Sequence, residues 1–560
     1  MPSLSISTDI ANGGFDVLLF DDSSDDILAL NEQQKPNCIV LCCVFVLVII
    51  LFILILNIFL ISGCINDSEN QNNRIDNEIF IGIVGNISGF YPWMTIRDTN
   101  TLSVNRNLFN FLVEMDPITY KFIPALAESW NNPDNVTWRF FLREGVKFHN
   151  GNNFTAKDVK FTIEYMKNYS YYAEELESIS EITILDNYTI DIKTNNPSPM
   201  LLYKLGTLYI ISKDYMQDIP ETNETWPIGT GAYKLSNYSP GDHITLERFD
   251  DYWKGQPEVK KVTFKKMNNT EELKNALIRR EIDIVPLSID YVEEIKNTKG
   301  LDVKSVQTPA VIYLSFDFRV NDSFGFKDIK NPVSDLRVRK AMYHAIDVDT
   351  IIEKYLNGSA TAASQFITYH TFGYNPNISR LTYDLETAKQ LMKEAGYEDG
   401  FTIELDIPDS PKWINISNEI ANQLKEIKIN IIPNPQPQSE YYSKLYYRNT
   451  SLYLTGWNPL DAESTIKLLL LTPNLEESIG IWNYGNYSNH EVDRLCEILS
   501  YTMDTDMRKE IIHEIFSIAA SDVAWVPLFS NTAFYGTFDN IIWNPRPSLF
   551  IWVEEISFKN

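Results

Sequence analysis

Apolar positions along this chain repeat with two different periods, and the switches between them predict the elements. "EIFIGIV" (Glu78 to Val84) carries Ile79, Ile81 and Ile83 at every second position, the period of a strand with one buried face. "TWRFFLR" reads the same way, and "ITILDNYTIDIK" reads as a hairpin turning at Asp186-Asn187. Between them "FTAKDVKFTIEYM" changes to helical spacing. Thr155 caps it and Asp158 stands at the third helical position, the spacing of a capping box. Residues 110 to 205 therefore mix short strands with a helix.

Farther along, "ITLERF" and "VTFKKM" predict strands, "TEELKNALIRR" a helix and "IDIVPL" another strand. After Pro309 come the strand "VIYLSFDF", a helix in "SDLRVRKAMYHAI", a second from "DVDTIIEKYL", and a third in "YDLETAKQLMKEAGY", capped by Asp384 and stopped by Gly396. "FTIELDI", "WINISNEIANQLKEI", "INIIP" and "SLYLTGW" then alternate strand and helix, the signature of a βαβ-type unit. The end of the chain, "VAWVPLF" and "IIWN", returns to strands. No internal repeat is present.

One stretch follows neither period. Cys38 to Ile61 is an apolar run of 24 residues whose only amide is Asn57, long enough at about 1.5 Å per residue to cross a bilayer as a helix. "ISGC" follows at once, and this resembles a lipoprotein lipobox with Cys64 as the lipidated first residue of the mature chain. Without cleavage the run itself serves as a membrane anchor. "INDSENQNNRIDN" has the composition of a flexible spacer. The expected organisation is an acidic leader (1–37), an anchor segment with lipobox (38–63) and a spacer (64–77). The leader holds seven acids and the single Lys35, whereas a secretory n-region is basic. An overextended start codon and an unusual cytoplasmic tail both account for that.

At 560 residues the chain exceeds one ordinary core, and its 44% hydrophobic content supplies several. The formal charge of -27 excludes a nucleic-acid footprint, which needs clustered cations. Of five cysteines, only Cys496 lies beyond the anchor region, so no disulfide framework or cysteine zinc site is expected there. Asn-x-Ser/Thr triplets at Asn135, Asn153, Asn237 and Asn415 suit a glycosylated exterior, and an Asn-rich chain also generates them by chance.

Several stretches together carry a resemblance. "PALAESW" with "TWRFFLREGVKFHNGNNFTAKDVKFTIEYM", including the "LR-x-GVKFH-x-G" core at Leu142 to Gly151, then "GTGAYKL" with "ITLERFDDYWKGQP", then "LRVRKAMYHAIDVDTIIEKYLNGSA", then "YDLETAKQLMKEAGY", resemble in this order the large solute-binding proteins of ATP-driven importers (family 5), which bind oligopeptides, dipeptides or nickel complexes. The resemblance covers nearly the whole mature chain. It implies an α/β fold of the periplasmic-binding-protein class II type, with two α/β lobes joined by a hinge and an inserted third α+β lobe. Lobe I would comprise 78–105, 207–300 and 523–560, lobe II 106–206, and lobe III 301–522. Lobes I and III would close around the ligand. The implied partners are a short peptide or a nickel complex, an ABC permease with its ATPase, and the membrane through the anchor. No nucleic acid and no cofactor are expected, and the receptor would be a monomer.

Catalysis finds little support. There is no Gly-x-Ser-x-Gly elbow or Walker loop, and His490-Glu491 and His513-Glu514 lack the second histidine of a zinc-protease helix. His149 in "KFHNG" and Arg143 read as structural. Ligand candidates fall at two places. Tyr91 and Trp93 follow the first strand, where a cleft can open. Gly456 and Trp457 end the strand "SLYLTGW", and in the family the equivalent tryptophan lines the pocket. In peptide-binding members an Asp three residues past it pairs with the ligand's α-ammonium; here that position is Leu460. Either a one-residue shortening brings Asp461 or Glu463 into that role, or the ligand has no free amino terminus. "NPLDAES" also resembles the nickel-binding branch, whose downstream histidine is missing between Trp457 and His490. Peptide uptake is thus the leading expectation, a nickel complex the alternative, and a surface-anchored hydrolase or adhesin the reading from another class.

Overall fold

The computed structural model describes residues 77–87, 89–90, 98–116, 121–168, 172–173, 176–218, 226–321, 323–325, 330–459 and 461–559. All belong to one compact unit, Asp76–Asn560. The leader, the apolar run, Cys64, Tyr91, Trp93 and Leu460 lie outside the described residues. Among the described residues no helix is long and apolar enough to cross a membrane.

The described residues form nineteen strands, most of them where the two-residue period predicts. They begin with β1 (Glu78–Val84), a small hairpin β2 (Val113–Met115) and β3 (Phe122–Pro124), and a group β4 (Ala127–Asp134), β5 (Thr137–Leu142), β6 (Ile179–Asp186) and β7 (Thr189–Thr194). There follow β8 (Tyr233–Ser239), β9 (His243–Arg248), β10 (Lys261–Met267), β11 (Ile284–Leu287), β12 (Leu301–Phe316) and β13 (Ala360–Ala362). The rest are β14 (Phe401–Pro408), β15 (Ile429–Gln436), β16 (Leu452–Trp457), β17 (Trp525–Phe538), β18 (Ile541–Ile542) and β19 (Ser557–Phe558).

Strands β4 to β7 form a separate four-stranded sheet in the order β4-β5-β7-β6. The helix Ala156–Met166 packs on it, and its capping box is complete: Lys157 N–H donates to Thr155 Oγ1 at 3.3 Å, and Thr155 N–H to Asp158 Oδ2 at 2.9 Å. Asp158 also accepts from Lys213 N–H at 2.9 Å, which ties this unit to the chain that leaves it.

An eleven-stranded sheet runs through the rest, in the order β15-β14-β16-β12-β17-β11-β1-β10-β9-β8, with β13 on β17. Its two halves are continuous only through β12 and β17. Leu301–Gln307 pair with Thr532–Phe538 beside β11, while Val311–Ser315 pair with Trp525–Ser530 beside β16. The register shifts between Gln307 and Val311, where Pro309 sits. A proline donates nothing to a ladder, so inside a strand it belongs at an irregularity of this kind. The crossing is therefore a narrow ribbon of β12 and β17 with a break in its ladder, edged at Phe529–Asn531 by the short β13, a geometry suited to a hinge.

Separate cores back the two halves. Ile81, Ile83, Ile284 and Tyr535 pack with Leu108, Phe109 and the four-stranded unit, and Leu273, Leu277, Val285 and Leu287 form a smaller core on the other face of the sheet. Beyond the crossing, Leu314, Leu405, Leu454 and Ile416 fill one face, and Tyr313, Phe366, Tyr441, Trp457 and Phe516 the other. Each half thus keeps its own packing if the ribbon bends.

Candidate functional site

The crevice between the halves opens at the carboxyl ends of β1 and β11, the position where open α/β sheets receive ligands. It holds a half-open cavity of about 460 Å³, within the range of small-ligand sites. The first half contributes Gly82 to Val84, Pro286, Leu287 and the start of the helix Thr99–Leu108; the second contributes Leu356, Ser359 and Lys412. Asn531 to Tyr535 of the ribbon form its floor.

Local folding fixes these walls. Asp98 caps the helix Thr99–Leu108, accepting from Thr101 N–H at 2.9 Å, and Asn100 Nδ2 donates to Val84 O at 2.8 Å, closing the helix start onto the end of β1. Ser103 Oγ accepts from Ile551 N–H at 3.2 Å, which holds the C-terminal segment against the same helix. Across the ribbon, Gln307 donates to Ser530 Oγ, Thr308 Oγ1 donates to Asn531 O at 3.1 Å, and Thr532 N–H donates to Ser359 O at 3.2 Å.

Lys412 is the one charged residue among the described residues that line the cavity. It stands at the start of the helix Pro411–Leu424, is accessible to solvent, and donates to Asn531 Oδ1 at 3.1 Å. Its ammonium lies 6.0 Å from the Phe529 ring, and partial desolvation against the surrounding protein lowers its pKa.

The second group of candidates stands on β16. Trp457 pairs with Val311 at the ribbon end of the strand and is 7% exposed. Its Nε1 donates to Thr465 Oγ1 at 3.0 Å, and its ring meets that of Trp482 edge to face at 4.9 Å. Trp482 is 42% exposed, so the pair has a buried member and an open one. Gly456 is exposed beside it, with Ile312 Cδ1 2.8 Å from where a Cβ would stand.

Asp461 is the N-cap of the helix Ala462–Leu469 and accepts from Ser464 N–H at 2.8 Å and from Ser464 Oγ. Burial pushes its carboxyl up to about 6, against the pull of those hydrogen bonds. Glu463 is buried and held by Arg508 at 2.7 Å and Lys467 at 2.7 Å. Both carboxylates are committed within their own half. The structure brings Gly456, Trp457, Asp461 and Glu463 together around one strand end, and none of the four lines the cavity. Conversely, Asn100, Ser103, Ser359, Lys412 and Asn531 line it without having stood out in the sequence, because they come from four separate segments of the chain.

The two tempting groups of the "LR-x-GVKFH-x-G" stretch are structural. Gly229 N–H donates to His149 Nδ1 at 3.3 Å, and Nε2 lies 3.1 Å from Gly231 O, so the ring is neutral with its proton on Nε2. Burial lowers its pKa to about 4. Arg143 reaches Ala125 O and Glu128 and lies over Trp253. Among the described residues no group of three or more His, Cys, Asp and Glu side chains is placed to hold a metal ion.

Two halves joined by a narrow ribbon, with a half-open cavity between them, have the architecture of the hinged periplasmic class II fold of solute-binding proteins. The profile of the bacterial extracellular solute-binding proteins, family 5 (middle region), matches residues 121–474, and the chain belongs to that family. It is similar to the dipeptide-binding protein of Escherichia coli strain K12, 30% identical over 351 residues, covering 57% of this chain and 64% of that relative. It is also similar to heme-binding protein A of Haemophilus influenzae, 26% identical over 498 residues, with 80% and 86% covered. Among solved structures, the ABC transporter substrate-binding protein CtaP from Listeria monocytogenes superposes with a TM-score of 0.76 at 22% identity, covering 87% of this chain and all of the other. The family is one of extracytoplasmic binding proteins, not of catalysts.

Proposed function

We propose that the protein is the solute receptor of an ABC importer, capturing di- or oligopeptides in the crevice between its halves and presenting them to a permease served by an ATPase. The observation that carries this reading is the cavity of about 460 Å³ seated on the ribbon that joins the halves. A ligand touching both walls binds the closed arrangement better than the open one and so favours closure by its differential contacts. The E. coli relative is a dipeptide-binding protein, and such a cavity suits a short chain whose main-chain groups supply most of the polar contacts.

We keep the three-lobe partition that the sequence implied, 78–105 with 207–300 and 523–560, 106–206, and 301–522; separate cores support the division of 301–522 from 78–300, while one core runs through 78–105, 106–206 and 207–300. Trp457 and its partner Trp482 form an aromatic wall near the crevice, Gly456 leaves the strand end open to an approaching main chain, and Tyr91 and Trp93 stay ligand candidates from their place in the sequence. Asp461 and Glu463 hold the turn behind Trp457. The receptor is a monomer, tethered outside the membrane through Cys64 or through the apolar run.

Native mass spectrometry of freshly purified protein tests the reading. Bound species with peptide masses, released on denaturation, are expected. A nickel complex as the sole bound species, or catalytic cleavage of added peptides, would overturn it.

A further inference from the structure

The two halves also meet outside the ribbon. Arg508, on the helix Thr505–Ser521, donates from Nη2 to Met200 Sδ at 3.3 Å, and Met200 belongs to the segment that leaves the four-stranded sheet after β7. The same guanidinium donates from Nη1 to Leu499 O at 2.9 Å and to Thr502 O at 3.4 Å, which brings the turn carrying Met503 to the same place. Among the described residues of 310–522, Met503 alone packs against the core of the first half. Both methionines are half-buried. Side chains from two separate segments thus span one seam.

Local folding stiffens each side of it. Met503 stands between Thr502, the C-cap of the helix His490–Tyr501, and Asp504, the N-cap of Thr505–Ser521, which accepts from Met507 N–H at 2.8 Å. Opposite, Pro197 and Pro199 fix two φ angles just ahead of Met200, and Leu201 N–H donates to Ser198 O at 3.1 Å. A contact between two stiff turns is kept or lost as a unit when the ribbon bends.

The charge of Arg508 is answered inside its own half, by Glu463 at 2.7 Å. Parting from Met200 therefore strands no buried ion, as the breaking of a salt bridge across the seam would. A thioether is a weak acceptor on a flexible, polarisable side chain, suited to a contact that forms and parts repeatedly. Resting on the receptor reading above, we infer that Met200 and Met503 are a latch, which stabilises the closed arrangement of the halves independently of the ligand's own contacts and slows ligand release. Contacts made in one arrangement alone shift the balance toward it by their own free energy.

Small-angle X-ray scattering of the purified full chain, with stopped-flow release of alanyl-phenylalanine, tests this in Met200→Lys, which sets an ammonium against Arg508, and in Met503→Ser. Without ligand both variants are expected to have a larger radius of gyration than the wild type. They should release the dipeptide about tenfold faster at an unchanged association rate. Met200→Leu, which keeps the packing, and Met507→Ser, at an exposed position, should match the wild type. Melting curves show which variants fold, and Met503→Ser decides the matter alone if Met200→Lys does not. An unchanged radius of gyration in the folded variants overturns the latch and leaves the receptor standing. A changed radius in a protein that binds no peptide removes the peptide reading and leaves the latch, serving a receptor for another solute.

Discussion

Asp461 shows how one residue name in a sequence holds two roles that only the backbone separates. Its place behind Trp457 suggested a ligand carboxylate; the structure makes it the cap of the helix Ala462–Leu469, buried and with its pKa pushed up to about 6. Between an unfolded value of about 4 and this folded value the native state binds the extra proton, so this group's contribution to stability falls as pH rises from 4 to 6. Asp461→Asn keeps a capping oxygen. It should flatten that part of the stability profile, on the order of 2 kcal/mol; urea titrations of both proteins at pH 4 and pH 7 check it, and parallel profiles would refute it. Trp457 was legible as a strand-end aromatic, but its depth was not. With 7% exposed and its Nε1 bonded to Thr465, Trp457→Ala should cost about 3 kcal/mol of stability besides any affinity. Trp482→Ala, at the open ring, should leave the melting temperature nearly unchanged. Lys412 was not legible, since a lysine near a helix start is common and its place in the cavity wall is a property of the assembled crevice.

At the scale of elements, local patterns were read well because each needs only neighbours in sequence. The capping box at Thr155 and Asp158, the Asp384 cap and the stop at Gly396, whose φ is +82°, all stand where the spacing predicts. The long strands were read short. "VIYLSF" is the last part of a 16-residue strand that stops before Asp317, since the start of that strand, "LDVKSVQ", has no clean alternation and is made a strand by pairing with β17. Pro309 looked like a boundary and is instead the irregularity within β12. Contacts between distant elements were invisible as well. Glu463 on Ala462–Leu469 reaches Arg508 on Thr505–Ser521, and both side chains are under 10% exposed. Glu463→Gln leaves a buried guanidinium without its anion and should lower stability by about 3 kcal/mol in urea unfolding. A loss under 1 kcal/mol would show that Lys467 and solvent compensate.

For the molecule as a whole, the succession of strands and helices and the order of the family-like stretches gave the fold class, and family membership followed. What they left open was the meeting of the halves, because a crevice is built from residues hundreds of positions apart: Val84, Ser359, Lys412 and Asn531 share one cavity. The central claim is that this crevice binds a short peptide and is stabilised by doing so. A ligand that binds the folded state alone raises the melting temperature with concentration, by about 2.7 kcal/mol of stability at a hundred times its dissociation constant. The most direct measurement is therefore thermal unfolding of the purified protein against di- to pentapeptides, free and N-acetylated, with nickel plus histidine in parallel. A saturable rise with peptides is predicted. No rise with any peptide, or a rise with nickel and histidine alone, would contradict the account.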